Sequence, residues 1–389
     1  MTIPRFFVAV LGFAAFTVVL TSPIKAQIVQ TTAVPFLQIE PDSRAAGMGM
    51  AGVGVSDNAN ALYWNPAGLA GQEGAEVTFT HAPWLPALGA DLFYEYLAGK
   101  YAVEGIGTFA GHVTFLNLGE QERTDAQGNV LGTFKSYDLA VGASYGTSIM
   151  NNLAVGTGLR LIYSNLAGGV EVEGQATRAG VAVGVDLGLL WTPSVGGDSS
   201  RIQPSLGFNL ANMGPTIQYS DSEQADAIPT NLRFGGALEF ELDEFNSITW
   251  ALDLNKLLVS RNADGSYDPF YQAIFSSWGS QEVDLNVSDN TNLPGEPNDC
   301  SADPTCESIG LLKQLTLGTG FEYWYSDLFA LRTGYFYEDP ANGNRKFLTF
   351  GAGIRYSLVG VDLSYIYALE ENSPLAEQIR FSVMLSMNR

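Results

Sequence analysis

An all-β chain is predicted, a fourteen-stranded antiparallel transmembrane β-barrel with a short N-terminal plug. Three observations predict it. From about residue 75 apolar residues recur with a period of two. Many of these segments run ten to fourteen residues, which suits a tilted strand crossing a bilayer and exceeds the usual soluble strand. The connections between them alternate between short and long, as in bacterial outer-membrane barrels.

The chain opens with Arg5 as the only charge before "FFVAVLGFAAFTVVL", then "TSPIKA" with small Ala26 ahead of Gln27. Residues 1–26 read as a secretory signal peptide, since the apolar run is too short and wrongly flanked to span a membrane as a helix. About 363 residues then remain, and no Pro/Ser linker or charge block divides them. A formal charge of −22 argues against a nucleic-acid partner, because phosphate binding needs Lys and Arg. Forty-three glycines, 12% aromatic residues and only 15% charged residues suit many strands and turns rather than a helical bundle.

The alternation is clearest in "AGVAVGVDLGLLW", where Val181, Val183, Val185, Leu187, Leu189 and Trp191 form one face. In "VGVDLSYIYAL" the face is Val359, Val361, Leu363, Tyr365, Tyr367 and Leu369. In "QLTLGTGFEYWY" it is Leu315, Leu317, Phe321, Tyr323 and Tyr325. The opposite faces carry Arg160, Asp186, Asp253, Glu322, Arg332, Arg355 and Asp362. A soluble sheet would turn those charges to water, whereas a barrel turns them to its lumen and its apolar face to lipid. Aromatic clusters such as "FEYWY" and "YFYE" near segment ends suit an interfacial girdle. Fourteen segments are expected at 75–83, 90–101, 105–118, 136–148, 151–166, 179–192, 202–212, 230–240, 246–258, 311–324, 328–338, 345–356, 359–369 and 378–388. The barrel thus occupies residues 73–389. Its inward charges either pair into a stiffening ladder or line a path, and Arg332 and Glu322 stand on neighbouring strands.

Enzymatic readings find little support. His81 and His112 are the only histidines, too few for a zinc centre or a triad-based hydrolase. "GTSIM" lacks the Gly-x-Ser-x-Gly elbow, and "GVGVSDNAN" lacks the Gly-Lys-Ser/Thr ending of a phosphate loop. No cofactor or metal is expected. Cys300 and Cys306, in an exported chain, are expected to form a small disulfide loop.

Residues 27–72 form the N-terminal segment. It starts in the periplasm on this reading and contains "DSRAAGMGMAGVGVSDNANALYWNPAGLA". Fourteen strands enclose more space than small inward side chains fill, so a Gly- and Ala-rich segment is suited to fold inward as a hatch. Asn60, Trp64, Asn65 and Pro66 are the expected hatch residues, with Pro66 ending or redirecting a short helix and Asn65 favouring a turn. The long loop at about 259–310 holds nine Asp/Glu and one Arg, in no EF-hand spacing. Within it, "DPFYQAIFSSWG" puts Phe270, Tyr271, Ile274, Phe275 and Trp278 on one side of a helical turn. Such a turn either packs over the barrel mouth or presents an aromatic anchor to a partner.

"NPAGL" after an Asn-containing helical segment resembles the hatch of the FadL-type fatty-acid transporter superfamily. Longer stretches resemble its PorV family, the outer-membrane component of type IX secretion. They include residues 33–55, 63–70, 81–101, 207–221, 228–240, 252–259 and 329–356. The resemblance implies a fourteen-stranded barrel with an N-terminal plug in the outer membrane of Bacteroidetes. It also implies partners: outer-membrane lipid, a giant secretion translocon barrel, cargo proteins with a C-terminal sorting domain, and a surface attachment complex with a sortase-like protease. The superfamily's alternative is a transporter of hydrophobic small molecules, for which a continuous apolar pocket near the hatch would be required. Residues 280–310 form a longer loop than the family suggests. The chain ends "SVMLSMNR" without the terminal aromatic many such barrels carry.

Overall fold

The computed structural model describes residues 32–387, apart from 89–90, 125–126, 173–174, 195–200, 221–224, 263–265, 285–305 and 371–372. The expected signal peptide, Arg389 and Cys300, and with Cys300 the expected disulfide, lie outside the described residues.

Fourteen antiparallel strands close into one barrel. They are β1 (Ala75–Pro83), β2 (Phe93–Val103), β3 (Gly107–Thr124), β4 (Val130–Met150), β5 (Leu153–Asn165) and β6 (Gly180–Trp191). Then come β7 (Ile202–Met213), β8 (Asn231–Glu241), β9 (Asn246–Leu257), β10 (Leu315–Tyr325), β11 (Phe329–Glu338), β12 (Lys346–Tyr356), β13 (Val359–Ala368) and β14 (Ile379–Met387). Every expected segment contains a strand, but residues 311–314 of the tenth form a 3-10 turn and β10 starts at Leu315. The seam is β1 against β14, with Ala75 opposite Met387 and His81 opposite Phe381, so no sheet edge is left in the hydrocarbon. β3 and β4 run beyond the segments read from the sequence. They continue as a two-stranded ribbon after a register shift between Asn117 and Glu120, where Gly119 takes φ 75°. The period-two signal fades there because both faces of the ribbon meet solvent.

The connections fix the orientation. β2–β3, β4–β5, β8–β9, β10–β11 and β12–β13 are joined by a few residues each, and the ends of β1 and β14 lie on that same side. Those short turns mark the periplasmic end and the longer loops the extracellular end. The three-residue β10–β11 turn places Ser326 and Asp327 both at φ 52°, and the Leu328 amide donates to the Tyr325 carbonyl at 3.0 Å.

The faces alternate as expected. Val181, Val183, Leu187, Leu189 and Trp191 are exposed on the lipid side, and Arg160, Asp186, Asp253, Glu322, Arg332, Arg355 and Asp362 are all buried in the lumen. Direct pairing of Glu322 with Arg332 in the register brings their side chains to 2.6 Å. From there a chain of charges runs across the wall: Arg332 to Asp362 at 2.7 Å, then Arg355 to Asp362 at 2.5 Å. Trp324 lies under both arginines, each guanidinium 5.5 Å from its ring. Arg44 of the N-terminal segment completes the chain at 2.7 Å from Glu322 and also pairs with Asp57. Glu322 and Asp362 thus stand in a ladder rather than a bare ion path, each paired with two guanidiniums.

Glu322→Ala leaves the buried Arg332 and the partly buried Arg44 with one carboxylate partner each instead of two and is expected to cost about 3–5 kcal/mol. Denaturant titration of the detergent-folded protein measures this, and a loss well below that range would show the ladder to be ornamental.

Candidate functional site

Residues 33–70 fill the lumen. Their path differs from the expected one, because the segment does not begin on the periplasmic side. Ala33 donates its amide to Ala227 in the extracellular loop after β7, at 3.0 Å. Phe36 and Leu37 are buried with Tyr94, Tyr96, Leu116 and Ile162 in the extracellular half of the barrel. The chain then descends through α1 (Ser43–Ala46), reaches the periplasmic mouth near Asp57, and turns back up into α2 (Ala61–Trp64). From Asn65 it descends again to β1. An apolar run at residues 34–39 explains the direction, since Tyr94, Leu116, Ile217 and Ile228 offer it an apolar lining toward the extracellular rim.

Each short element has a local cause. Asp42 caps α1, accepting from the Ala45 amide at 2.8 Å, and its other oxygen accepts from Trp64 Nε1 at 2.6 Å. Asn60 stands at the start of α2 but gives no side-chain cap; its carbonyl instead accepts from the Tyr63 and Trp64 amides. Asn65 ends α2 in extended geometry and caps the 3-10 turn Pro66–Leu69, accepting from the Ala67 amide at 3.1 Å. Its amide nitrogen donates to the Leu189 carbonyl of β6 at 2.8 Å, so the Asn-Pro step is bonded to the wall rather than hinged free of it.

A segment without a ladder partner must find hydrogen bonds elsewhere, and the wall supplies them. Asp253 accepts from the Gly52 and Val53 amides at 2.7 and 2.9 Å. Glu76 accepts from the Ala59 amide at 2.7 Å, and Thr349 accepts from the Gly49 amide at 2.8 Å. Asn209 donates to the Trp64 carbonyl at 2.8 Å and Arg233 to the Tyr63 carbonyl at 2.6 Å. The Arg233 guanidinium also sits 4.2 Å over the Tyr63 ring. Above them, Arg380 donates to the Glu40 carbonyl. The wall is also cut to fit. A Cβ at Gly146 would lie 2.6 Å from the Pro66 carbonyl oxygen, and one at Gly207 would lie 2.8 Å from that of Val53. Only glycine admits such an approach.

Of the expected hatch residues, Trp64, Asn65 and Pro66 are therefore anchors in the lumen, and Asn60 is buried beside them. The wall residues Asn209, Arg233, Arg380 and Thr349 were not foreseen. Their one signal in the sequence is a polar residue at an inward strand position, which does not say what it meets.

Below the hatch a cavity of about 1080 Å3 opens at the periplasmic mouth. Arg44, Asp57, Glu76, Lys100, Glu239 and Arg355 line it, so it is polar and charged rather than the continuous apolar pocket a carrier of hydrophobic molecules needs. At the opposite mouth, α3 (Phe270–Ser276) buries Ala273 and leaves Tyr271, Phe275 and Trp278 exposed, Phe275 at 80%. Phe270 and Ile274 are half-buried. The aromatic side chains thus do not form one buried face: the smaller Ala273 and Ser277 pack down and the rings turn out. The turn at Leu311–Gln314 lies against it, Gln314 donating to the Gly279 carbonyl at 2.9 Å, with Leu312 82% exposed. Among the described residues no group of three or more His, Cys, Asp and Glu could hold a metal ion. In the extracellular loop 214–230, burial pushes the Tyr219 hydroxyl up to about 12, and that hydroxyl donates to Ser164 at 2.9 Å.

A closed fourteen-stranded wall, lipid-facing outside and filled by its own N-terminal hatch, defines an outer-membrane β-barrel of the plugged kind. The chain is similar to several solved structures. The Pseudomonas putida toluene transporter TodX is 12% identical, covers 90% of this chain and 99% of its own, and gives a TM-score of 0.51. The Ralstonia pickettii toluene transporter TbuX is 12% identical over 90% and 100% of the two chains, with a TM-score of 0.47. A Pseudomonas aeruginosa FadL homologue is 12% identical over 93% and 100%, with a TM-score of 0.44. No curated protein matches the chain. The family model for type IX secretion system protein PorV matches residues 22–264, more than half the chain. The protein belongs to the PorV family and is an outer-membrane barrel of type IX secretion.

Gly156→Leu would force a side chain into the Pro66 backbone and is expected to unseat the 3-10 turn. Liposome-swelling assays should then show solute entry that the unaltered protein and the lipid-facing Leu159→Val variant do not.

Proposed function

We propose that this barrel is a docking and hand-over component of type IX secretion rather than a conduit. Its extracellular loops bind cargo bearing a C-terminal sorting domain, receive it at the giant translocon barrel, and deliver it to the surface attachment complex with its sortase-like protease. Binding alone accomplishes this, without catalysis by this chain and without a cofactor.

One observation carries the reading: the lumen is occupied by residues 33–70, bonded to the wall throughout, while rigid aromatic groups face outward from α3. A sealed barrel can still work through its rim. Tyr271, Phe275 and Trp278 have the character of interface anchors, with large area and little side-chain freedom to lose. The α3 segment is held to the barrel beneath them. Lys256 of β9 donates to Gln314 at 2.7 Å and lies 5.7 Å from the Trp278 ring. The fold likeness to toluene transporters does not bear on this choice, since one fold hosts several functions.

Purification from native outer membranes in mild detergent, followed by mass spectrometry, tests the reading. A very large barrel protein and secreted proteins sharing a C-terminal domain are the expected companions. Phe275→Ala is expected to cost about 2 kcal/mol of binding, a roughly 30-fold fall in recovered cargo, with barrel stability unchanged. Recovery of fatty acids or other apolar ligands with no protein companion would overturn it in favour of transport.

A further inference from the structure

The vestibule at the periplasmic mouth takes no part in docking at the rim, and its lining is unbalanced. Of the ionisable groups around it, six are carboxylates and three are cations. All three cations are engaged: Arg44 with Asp57 and Glu322, Arg355 with Asp362, and Lys100 with the Glu73 carbonyl at 2.7 Å. Glu76 is held by the Ala59 amide and by Ser386. Among the described residues, the carboxylates of Glu73, Glu239 and Asp327 have neither an ion pair nor a hydrogen bond.

Register sets three of the lining groups side by side. Thr249 of β9 stands opposite Glu239 of β8 on one side and Glu322 of β10 on the other, and Gln203 of β7 continues the row beyond Glu239. Thr249 is only 7% exposed, yet it lines the cavity and its hydroxyl has no hydrogen-bond partner among the described residues. A buried polar group left alone costs about 1–3 kcal/mol, so this row is short of a donor from outside. Asp57, at the hatch tip, is 61% exposed. Its charge and those of Glu241 and Glu322 repel the Glu239 carboxylate, with Arg44 offsetting them.

The missing partner is therefore positive and rich in N–H groups. A guanidinium or an ammonium meets both demands, with charge-assisted bonds to Glu239 and a donor for Thr249. A metal ion does not, because among the described residues no group of three or more His, Cys, Asp and Glu could hold one. The ligand is also large. At about 1080 Å3 the cavity matches the upper end of pockets that enclose a whole ligand, roughly 300–1,000 Å3. Acidic groups continue outward from it: the short periplasmic turns carry Glu104, Asp243, Glu244 and Asp327 and no lysine or arginine. Arg201, before β7, is bonded to the Leu242 carbonyl.

From this arrangement we propose that the vestibule is a docking site for an extended basic segment of a periplasmic protein, one arginine or lysine of which seats on Glu239 and Thr249 beneath the hatch tip. The site is built partly from the wall and partly from the hatch, since Asp57 belongs to the segment that fills the lumen. It is complete only while the hatch is seated, so a partner bound there registers a closed barrel. This contact and docking at the rim use opposite mouths, and either stands if the other fails.

Fluorescence anisotropy of a labelled Gly-Arg repeat peptide, titrated with the detergent-folded full chain, tests the site. Salt at about 0.15 M limits attraction by distant charges, since the screening length is then about 8 Å. Glu239→Gln is expected to weaken binding about 10-fold and Thr249→Val about 3-fold. Glu120→Gln on the extracellular ribbon removes the same charge and is expected to leave binding unchanged. An equal fall for Glu120→Gln, or none for Glu239→Gln, would overturn the proposal, the peptide then answering only to the net charge of −22. Displacement of the peptide by spermine at matched charge would overturn it in favour of a small polycation. Photo-crosslinking gives a readout that needs no variant. A benzophenone on the peptide is expected to mark Thr192–Ser194 and Ile202–Ser205 at the vestibule, and adducts confined to the extracellular loops would overturn the proposal.

Discussion

The carboxylate of Asp253 accepts two consecutive hatch amides from a position in the middle of β9, and most of the molecule's arrangement depends on contacts of that kind. A segment crossing a lumen has neither a strand ladder nor bulk water to bond with, and each buried amide left alone costs about 1–3 kcal/mol. The wall must therefore carry acceptors and donors at the heights where the hatch passes. Asp253, Glu76, Thr349, Asn209 and Arg233 are those groups, drawn from five strands around the barrel. Between them glycines let the two backbones meet closely. Polarity and emptiness alternate on the inner face because the hatch needs both.

Charge follows from the same requirement. Strands that place Glu322, Asp362, Arg332 and Arg355 inside the barrel need every charge offset locally, since a lone buried ion is expensive. The ladder along β10 to β13 meets that need, and Arg44 extends it into the hatch. Hatch and wall are thereby one electrostatic unit. The polar vestibule beneath them is its wet margin, and the packed apolar cluster above them its dry one.

How much of this could be read from residues alone varies with the kind of information. Period-two alternation reports which side of a strand meets lipid, and it correctly turned Val181 out and Asp186 in. Turn residues and connection lengths report where strands end, so β1 and β11 fell almost where expected. Register is different. It depends on pairings between strands, so Glu322 and Arg332 could be named as neighbours but not as partners. The hatch was harder still. Its Gly- and Ala-rich composition and its Asn-Pro step signal a compact buried segment, yet its direction is set by where apolar surface lies on strands hundreds of residues away. Phe36 meeting Leu116 has no local signature. On α3 the spacing of the rings was right, while burial went to Ala273, because a small residue lets the helix lie closer to the loops beneath.

The hatch is built from the first residues of the barrel chain but bonded to the last. Ser43 meets Ser382 across 339 positions of sequence, and Thr349 bonds Gly47 across 302. Contacts so distant along the chain form slowly, because a long loop must close before they stabilise anything. During assembly, therefore, β14 must reach β1 before the hatch has a complete seat, and the newborn barrel passes through an interval as an open tube. A secretion component whose outer membrane must stay tight is exposed to leakage then. The rate at which residues 33–70 settle, rather than the finished barrel's equilibrium stability, would set how long that interval lasts.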